Sequence, residues 1–556
     1  MYPIKIITVD KSRYLENKAN EGGMSFAEMM ENAGRTTALA IQRHIGARGK
    51  RVLILVGPGN NGGDGLVAAH YLFEMGARVT CYLWKRSADD DANFGRVKED
   101  ELPVLWSEGD DGFGTLRKLL AETDVVVDAL LGVGVDRPIG GTLKELLAVV
   151  REATHQSGAS TELAETMPSK AVSPAPLVVA VDCPTGLNCD TGALDPAAVP
   201  ADVTVTFAYP KEGLLLFPGA EAVGQLVVAD IGIPPEMADD VPVEMATAEQ
   251  VRSWLPDRPR SAHKGTFGRA LIVAGSVNYV GAATLAGAGA KRVGTGLVTM
   301  ALPMPIQPAV AAGLTEATYL LLPHDMGVIA AGAVPVLRDS FEGYDALLLG
   351  PGLTQEKETV SFVHTLLGLE HAERKGHIGF VSSGALEQEK DLELPPLVVD
   401  ADGLNALVQA DGWWKMLPPG TILTPHPGEM ARLMGSDTRT ADVQADRWGT
   451  AQRMAARWNV VLVLKGAFTV VAGPEGRVVV LPFANPALAT AGSGDVLAGA
   501  IAGLRAQGLG AFEAAVAGAY LHGLAGELAR ADLGDMGVVA GDLPPRLPQA
   551  LRRIRT

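Results

Sequence analysis

Cysteine, aromatic residues, basic charge and long hydrophobic runs are all scarce in this chain of 556 residues. Its three cysteines, Cys81, Cys183 and Cys189, cannot pair completely and have no zinc-binding spacing, which favours a reducing cytoplasm over a secreted disulfide scaffold. A formal net charge of −17 argues against nucleic-acid and anionic-membrane partners, because both require a basic surface. No apolar run approaches the roughly 18 residues that span a bilayer, and the N-terminus has no signal-peptide pattern. These absences predict a cytoplasmic protein with small-molecule ligands.

Glycine and small apolar residues dominate instead. The chain has 65 glycines, and 47% of it is hydrophobic while only 5% is aromatic, a composition typical of helix-covered parallel sheets with tight turns. Its length predicts two domains of roughly 200–300 residues each. The segment PPEMADDVP at 234–242 has the composition of a linker, so we place the domains at 1–235 and 236–556. Residues 155–176, rich in Ser, Ala and Pro, predict a surface insertion.

Short apolar runs followed by Gly or Asp turns recur along both halves. Such runs indicate strands buried on both faces of a parallel sheet, and ligands of these sheets bind beyond the carboxyl ends of the strands. The predicted strands are 51–56, 125–131, 177–181, 270–274, 346–349, 397–399, 422–423, 460–464 and 478–482. Apolar spacing predicts a helix within 27–45, and a run of small residues predicts another at 496–508. Both halves are therefore predicted to be α/β.

The first strand leads into the glycine-rich sequence GPGNNGGDG at 57–65. Its Pro and Gly residues predict a tight turn, in which Asn60 and Asn61 tolerate left-handed backbone angles. The N–H groups of such turns bind phosphate oxygens at helix N-termini. A plain structural turn is the alternative, but the density of glycine, with Asn61 and Asp64 as oxygen donors, favours a binding site.

Further oxygen donors follow the next two predicted strands. Asp128 and Asp182 each end a strand, and the hydroxyl of Thr185 follows closely. One Asp in this place is most often a helix N-cap. Two of them, with Asn61 and Thr185, predict an oxygen-rich cation pocket that suits a weakly hydrated monovalent ion as well as Mg²⁺.

These segments together resemble the NAD(P)H-hydrate epimerase family. The resemblance rests on GPGNNGGDG, VDALLGVG (127–134), VAVDCPTGLNCDTG (179–192) and TVTFAYPKEGLLLFPGA (204–220), and it spans nearly the whole first half. It implies a Rossmann-like doubly wound sheet, interconversion of the R and S hydrates of NADH and NADPH (NADHX and NADPHX), and a potassium ion on Asn61, Asp128 and Thr185. Thr185 stands where the family usually has Ser, and Cys183 stands where a larger aliphatic residue is common.

The resemblance also implies the substrate contacts of the first half. They are Asn60, Asn61, Gly62, Gly63, Asp64, Gly132, Val133, Gly134, Val135, Asp136, Arg137, Pro138 and Asp182. Epimerisation at a carbon bearing OH and N needs a group that takes and returns a proton or assists water exchange. We hypothesise that Asp182 is this catalytic group; holding a ribose or capping a helix is its alternative role.

A second glycine run, Gly492-Ser493-Gly494-Asp495, opens the predicted small-residue helix. Amides at a helix N-terminus bind anions, and an adjacent carboxylate suits phosphoryl transfer as a base. An N-cap Asp after a Gly turn is the competing interpretation. Context supports the functional one, because KGAFT at 465–469 offers a cation and a hydroxyl after a strand, and the Pro-rich loop TPHPGE at 424–429 carries a histidine and a glutamate.

The second half resembles the ribokinase-like, ADP-dependent NAD(P)H-hydrate dehydratase family. The resemblance rests on HKGTFGRALIVAGS (263–276), GPGL (350–353), VVDADGLNAL (398–407), TPHPGEMARL (424–433), VLKGAFTVV (463–471) and NPALATAGSGDVLAGAIAGL (485–504). It implies that ADP phosphorylates the hydroxyl of the S hydrate, after which phosphate is lost, AMP is formed and NAD(P)H is restored. Asp495 would be the catalytic base. Ala487 and Leu488 depart from a more usual Gly-Met pair.

The implied contacts of the second half fall into two sets. The hydrate would be held by Gly352, His426, Pro427, Gly428, Glu429, Met430, Ala431, Arg432 and Asp495. ADP would be held by Lys465, Gly466, Ala467, Phe468, Thr469, Asn485, Pro486, Ala487, Leu488, Ala489, Thr490, Ala491, Gly492, Ser493 and Gly494. Mg²⁺ is expected in this half on general grounds, because phosphoryl transfer needs charge neutralisation.

Two other functions compete with a two-domain repair enzyme. One is a vitamin or sugar kinase in the second half with a regulatory nucleotide-binding first half, and the other is a nucleotide-sensing scaffold without turnover. The presence of both constellations in one chain, with carboxylates in each, favours the repair enzyme. Gly- and Ala-rich helix faces also lead us to expect a homo-oligomer.

Overall fold

The computed structural model describes residues 3–87, 91–134, 137–154, 175–369 and 393–556. Within it the chain divides into two compact units between Val241 and Pro242. The predicted boundary after residue 235 remains a prediction, as does the insertion at 155–176, most of which lies outside the described residues. None of the helices in these ranges is long and apolar enough to cross a membrane.

The N-terminal unit is built on a parallel sheet of seven strands, β2 to β8, which does not include the short strand β1 (Ile4–Lys5). The strands of the sheet are β2 (Arg51–Val56), β3 (Arg78–Leu83), β4 (Val104–Trp106), β5 (Val125–Ala129), β6 (Leu177–Val181), β7 (Val203–Phe207) and β8 (Gln225–Ala229). Its helices are α1 (Val9–Glu21), α2 (Phe26–Ile45), α3 (Asn60–Glu74), α4 (Ala92–Glu99), α5 (Gly114–Glu122) and α6 (Gly141–Thr154). The sheet order is β4-β3-β2-β5-β6-β7-β8, with every neighbouring pair parallel.

This order places the ligand crevice. From β2 the chain goes to β3 on one side, while β5 pairs on the other, so the connections after β2 and β5 diverge at the carboxyl edge of the sheet. Such a reversal opens a crevice outside the strand ends. The strands on either side, buried almost throughout, have apolar cores on both faces. The predicted Rossmann-like doubly wound sheet is confirmed.

The C-terminal unit contains a larger mixed sheet and a separate antiparallel pair of short strands, β13 (His324–Asp325) and β14 (Val328–Ile329). The strands of the mixed sheet are β9 (Val243–Met245), β10 (Arg269–Val273), β11 (Leu297–Pro303), β12 (Thr318–Leu322), β15 (Ala346–Leu349), β16 (Leu397–Val399), β17 (Ile422–Leu423), β18 (Val461–Leu464), β19 (Val470–Ala472) and β20 (Val478–Val480). Within this unit the order is β9-β20-β19-β18-β17-β16-β15-β10-β11-β12, and β19 is antiparallel to both its neighbours. The order reverses at β10, which pairs with both β11 and β15.

Helices cover both faces of the second sheet. They are α7 (Ala248–Trp254), α8 (Val280–Arg292), α9 (Gln307–Gly313), α10 (Ala333–Arg338), α11 (Lys357–Leu367), α12 (Asp402–Leu407), α13 (Pro427–Met434), α14 (Thr440–Ala445), α15 (Arg447–Trp458), α16 (Ser493–Ala506), α17 (Ala511–Leu533) and α18 (Leu547–Arg555). Small residues let α16 approach α8, since a Cβ at Gly499 would overlap the carbonyl oxygen of Ala286. The ribokinase-like α/β fold expected for this half is confirmed.

One local expectation is wrong. The sequence 57–65 is not a continuous turn, because α3 begins at Asn60 with Gly59 as its N-cap, so Asn60 and Asn61 are helical and not left-handed. The small-residue helix opens within the second glycine run, as predicted, although it spans Ser493–Ala506 and not 496–508. Both glycine runs therefore place their polar residues in the first turns of helices, where N–H groups without helical partners can donate to an anion.

Candidate active sites

A cavity of about 710 Å³ opens in the N-terminal unit at the predicted crevice. Several residues expected to contact the substrate line it. These are Asn60, Asn61, Asp64, Gly132, Val133, Gly134, Arg137, Pro138 and Asp182. Gly62 and Gly63 are instead buried inside α3, where a Cβ at Gly62 would overlap the carbonyl oxygen of Gly57. Val135 and Asp136 lie outside the described residues.

The three predicted potassium ligands meet beneath this cavity. The Oγ1 of Thr185 donates to Oδ1 of Asp128 at 2.7 Å, and the Thr185 amide donates to Oδ2 at 2.8 Å. Asn61 Nδ2 donates to the carbonyl oxygen of Leu131 at 3.1 Å, and the Leu131 amide donates back to Thr185 Oγ1 at 3.1 Å. Amide, carboxylate, hydroxyl and carbonyl oxygens thus converge on one place.

Asp128 gives this cluster its electrostatic character. Its side chain is 3% exposed and, among the described residues, has no ion-pair partner. Burial raises the pKa of Asp128, although hydrogen bonds from Thr185 act in the opposite direction. An all-oxygen set around one buried carboxylate fits a weakly hydrated cation, which would supply the missing positive charge.

Asp182 lies at the floor of the cavity and is paired with a buried lysine. The Nζ of Lys211 donates to Oδ1 of Asp182 at 2.6 Å, and Oδ1 also accepts from Thr206 Oγ1 at 3.1 Å and from the Phe207 amide at 3.2 Å. Lys211 is 1% exposed. Burial alone would lower the pKa of Lys211, but the charge of Asp182 and the hydrogen bond with it raise the pKa overall.

Two further carboxyl groups face this pair across the cavity. Burial raises the pKa of Asp64 well above its usual range, and repulsion from Asp182 and Glu16 adds to the shift. Burial likewise raises the pKa of Glu16. The cavity therefore combines one ion-paired carboxylate with carboxyl groups that hold their protons more tightly, which is an arrangement suited to acid–base chemistry.

In the C-terminal unit, Asp495 is the third residue of α16, and Gly492 caps that helix with a left-handed φ of 90°. Burial raises the pKa of Asp495 to about 7, and repulsion from Asp400 contributes further. A base with a pKa near the working pH is effective in proton transfer. The first N–H groups of α16 have no partners within the helix and can donate hydrogen bonds to an anion beside Asp495.

Lys465 joins the surrounding segments. Its Nζ donates to Oδ1 of Asp400 at 2.7 Å and lies 3.7 Å from Oε2 of Glu429. Asp400, 1% exposed, also accepts from Thr424 Oγ1 at 2.7 Å. Burial alone would lower the pKa of Lys465, but Asp400 and Glu429 raise it overall. A Cβ at Gly494 would lie 3.4 Å from Nζ, so the lysine also borders the glycine turn.

The TPHPGE loop forms the N-terminus of α13. His426 caps this helix, its Nδ1 accepting from the Gly428 amide at 3.0 Å, and Glu429 accepts from the His426 amide at 2.8 Å. Burial lowers the pKa of His426. Met430 and Ala431 are buried in the apolar core, and Arg432 Nε donates to Asn405 Oδ1 at 3.1 Å.

The other predicted nucleotide and hydrate contacts of the C-terminal unit lie in segments that are tied to one another by hydrogen bonds. The Phe468 amide donates to the carbonyl oxygen of Phe483 at 2.7 Å, which links the KGAFT segment to the loop before α16. The turn at 350–354 is tied to α12, because the Thr354 amide donates to Asp402 Oδ2 at 2.8 Å. Asn485 Oδ1 accepts from the Ala487 amide at 2.9 Å.

Sequence reasoning missed several residues of these sites. Lys211, Asp400 and Asp402 stood in quoted motifs, each just beyond a strand, but received no role. Glu16 in α1 and His522 in α17 carried no local signal. Their places depend on packing between elements far apart in the chain.

The two sites define an α/β enzyme that joins a Rossmann-like unit to a ribokinase-like unit. A family model described as YjeF-related protein N-terminus matches residues 26–213, and one described as NAD(P)H-hydrate dehydratase matches residues 270–549. The chain is 39% identical over 535 residues to the bifunctional NAD(P)H-hydrate repair enzyme of Moorella thermoacetica, covering 95% of this chain and 92% of that one. It is 37% identical over 563 residues to the enzyme of the same name from Thermofilum pendens, covering 99% and 97%.

A solved structure titled ADP/ATP-dependent NAD(P)H-hydrate dehydratase from Bacillus subtilis, co-crystallised with ATP and Mg²⁺, is 32% identical and has a TM-score of 0.45, covering 56% of this chain and 98% of that one. The chain belongs to the bifunctional NAD(P)H-hydrate repair enzyme family. The predicted family, and with it the enzyme class, is confirmed.

Proposed function

We propose that this chain repairs hydrated NADH and NADPH in two steps, interconverting the R and S hydrates at the N-terminal site and dehydrating the S hydrate at the C-terminal site with ADP. The observation that carries the proposal is the presence, in one chain of this family, of two carboxylate–lysine pairs of different design. Asp182, paired with Lys211, lines a cavity beside an oxygen cluster, whereas Asp400 with Lys465 lies beside the helix N-terminus that carries Asp495. Residues 1–235 form the epimerase domain and residues 236–556 the dehydratase domain in this proposal.

In the epimerase half, Asp182 takes the proton from the carbon that bears the hydroxyl group and the ring nitrogen. It then returns the proton to the opposite face of the same carbon. Three donors bind Oδ1 of Asp182. These hydrogen bonds fix the orientation of the whole carboxylate group and therefore also that of Oδ2. Asp64, which holds its proton tightly, is placed to act as an acid toward the hydroxyl group. Asn61, Asp128 and Thr185 would hold a potassium ion, which would fix the first turn of α3 and offset the charge of the buried Asp128.

In the dehydratase half, Asp495 accepts the proton of the hydrate hydroxyl while that oxygen bonds to the β-phosphorus of ADP. The bond between that phosphorus and the bridging oxygen breaks, and AMP leaves. The phosphate group then departs as inorganic phosphate while the neighbouring ring carbon loses a proton to water, which restores the double bond of NAD(P)H. The amides of Gly492 to Gly494 and the ammonium of Lys465 stabilise the transferring phosphoryl group. The segments 465–469 and 485–491 hold the nucleotide.

The carboxylates around Lys465 leave negative charge that a divalent cation would offset. Asp400, Asp402, Glu429 and Asp495 carry more negative charge than one lysine neutralises. Among the described residues no three acidic or histidine side chains form a metal site by themselves, so Mg²⁺ would be held mainly by the phosphates with one or two of these carboxylates, and it would neutralise charge on the transferring group. The hydrate would lie against the turn that contains Gly352 and against the N-terminus of α13.

The decisive experiment uses the full-length protein and two matched variants, Asp182→Asn and Asp495→Asn. With a mixture of R and S NADHX and ADP, the unmodified protein should restore NADH absorbance completely, with AMP and phosphate formed in equal amounts. With the Asp182→Asn variant, NADH recovery should stop once the S hydrate is consumed. The Asp495→Asn variant should equilibrate the R and S hydrates without forming NADH.

The alternatives predict different outcomes. A vitamin or sugar kinase would fail to restore NADH and would instead phosphorylate hydroxymethylpyrimidine-like alcohols, and a nucleotide-sensing scaffold would bind nucleotide without turnover. We also propose a cytoplasmic, homo-oligomeric enzyme. The small residues of α8 and α16 are buried against each other within the C-terminal unit, so an oligomer would use other surfaces, and its mass in solution tests this.

A further inference from the structure

His522 lies in the middle of α17 and contacts the anion turn from behind. Its Nε2 lies 2.9 Å from the carbonyl oxygen of Ser493, the first residue of α16. Because a carbonyl oxygen only accepts, Nε2 carries the proton and donates it. The histidine is 8% exposed, and burial lowers its pKa to about 4, so it is neutral at physiological pH.

The contact acts on one particular peptide group. The Ser493 carbonyl and the Gly494 N–H belong to the same planar trans peptide, in which the two bonds point in opposite directions. A donor on the carbonyl side therefore fixes the direction in which the Gly494 N–H points and polarises it. That N–H is one of the first amides of α16, on the side where Lys465 borders Gly494.

The surrounding face of α17 is shaped to bring His522 to this place. A Cβ at Gly523 would overlap the ring of Phe483, and one at Gly526 would lie 2.7 Å from Cγ of Leu488. These two glycines let the loop before α16 pack directly on the helix. Ser493 Oγ in turn donates to the carbonyl oxygen of Leu488 at 2.9 Å, so loop and turn are held by one helix face.

We propose that His522 is a positioning residue of the dehydratase site, which orients and polarises the Gly494 amide toward the phosphate of the nucleotide. This inference rests on the proposed function. It predicts that His522 contributes to the binding of phosphate groups and not to the binding of the nucleoside.

The test compares ADP with adenosine by titration calorimetry on the full-length protein. His522→Leu, which removes the donor at similar volume, should weaken ADP binding about tenfold and change adenosine binding less than about twofold. His522→Gln should recover most of the ADP affinity because its amide nitrogen occupies the position of Nε2, whereas His522→Asn, whose amide corresponds to Nδ1, should not. If the leucine variant does not fold, the Gln and Asn pair carries the comparison.

A matched control is His364→Leu, since the His364 Nε2 also donates to a carbonyl oxygen, that of Ala406, at 2.8 Å. This variant should leave the ratio of ADP to adenosine affinity unchanged. Equal losses for ADP and adenosine, or no loss in the leucine and Asn variants, would overturn the inference. A wild-type protein that binds ADP no more tightly than adenosine would instead contradict the proposed nucleotide site.

Discussion

The ammonium group of Lys211 lies 2.6 Å from Oδ1 of Asp182, and both residues are buried, with Asp182 in the lining of the N-terminal cavity. Asp182 has a left-handed φ of 61°, immediately after β6, while Lys211 follows β7. Two neighbouring parallel strands thus end on opposite charges that neutralise each other. The pair shows how a carboxylate and an ammonium group can be buried together, since each offsets the desolvation cost of the other.

Replacing Lys211 should damage stability and epimerisation together. Lys211→Met leaves Asp182 buried without its cation, for which we expect a loss of about 3 kcal/mol in the free energy of unfolding. The double variant Lys211→Met, Asp182→Asn should be less destabilised than the sum of the two single variants, because no unpaired charge remains. Urea unfolding measures the first effect.

The same variants separate the two reactions. Lys211→Met and Asp182→Asn should each lower the epimerase rate by about 10²–10⁴-fold, whereas NADH recovery from pure S hydrate stays near that of the unmodified protein. Chromatographic separation of the epimers follows the first reaction. A Lys211→Met protein with full epimerase activity would show that the ion pair is only structural.

The dehydratase should lose activity in acid at an unusually high pH. Since the pKa of Asp495 is raised to about 7, the ionised base is lost as the pH falls through 7, and kcat should decline tenfold per pH unit below it. The folded state holds this proton more tightly than the unfolded chain, so Asp495 makes stability fall as pH rises from about 4 to 7. Asp495→Asn should therefore abolish turnover and raise Tm at pH 8.

A rate measured with saturating S hydrate and ADP between pH 5 and 9 tests this prediction. A flat profile down to pH 5 would contradict the assignment of Asp495 as the base. Asp128, whose carboxylate lies in the N-terminal unit, offers a control: its substitution by Asn should leave the profile unchanged.

The strands and the polar residues that follow them were predictable from local pattern. Continuous apolar runs before Gly or Asp turns identify β2, β5, β6, β16 and β18 because a strand buried on both faces has little other composition available. The carboxyl ends of parallel strands share one edge, so Asn61, Asp128 and Thr185 could be grouped before the structure was seen. The family resemblance assigned potassium to these three residues, which their spacing in the sequence could not do alone.

Pairings across long stretches of sequence were not predictable. Lys211 with Asp182, Lys465 with Asp400 and His522 with Ser493 join residues on separate elements, and no periodicity links their positions. The start of α3 at Asn60 was also missed, because Gly and Asn favour turns locally while the helix is imposed by packing on the sheet. At such positions tertiary contacts override the local conformational preference of the residues.

The potassium dependence of the epimerase activity should require the hydroxyl group of Thr185. Thr185→Ser keeps an Oγ that can bond to Asp128, whereas Thr185→Val has the same shape without the oxygen. We expect the valine variant to need at least about tenfold more K⁺ for half-maximal epimerase activity, and the serine variant to match the unmodified protein. Equal K⁺ requirements in the two variants would place the ion elsewhere.

Asp400 should tune the proton affinity of Asp495 through its charge. Repulsion from Asp400 is one of the causes that raise the pKa of Asp495, so Asp400→Asn should lower that pKa and move the acid limb of the dehydratase profile to lower pH. The same substitution weakens the hold on Lys465, which loses its 2.7 Å carboxylate partner and keeps Glu429 at 3.7 Å. If Lys465 then gave up its proton, Asp495 would lose its nearest cation and the limb would move to higher pH instead. Since Glu429 and Asp495 still favour the charged lysine, we expect the shift to lower pH, with a weaker affinity for ADP measured in the same titration series.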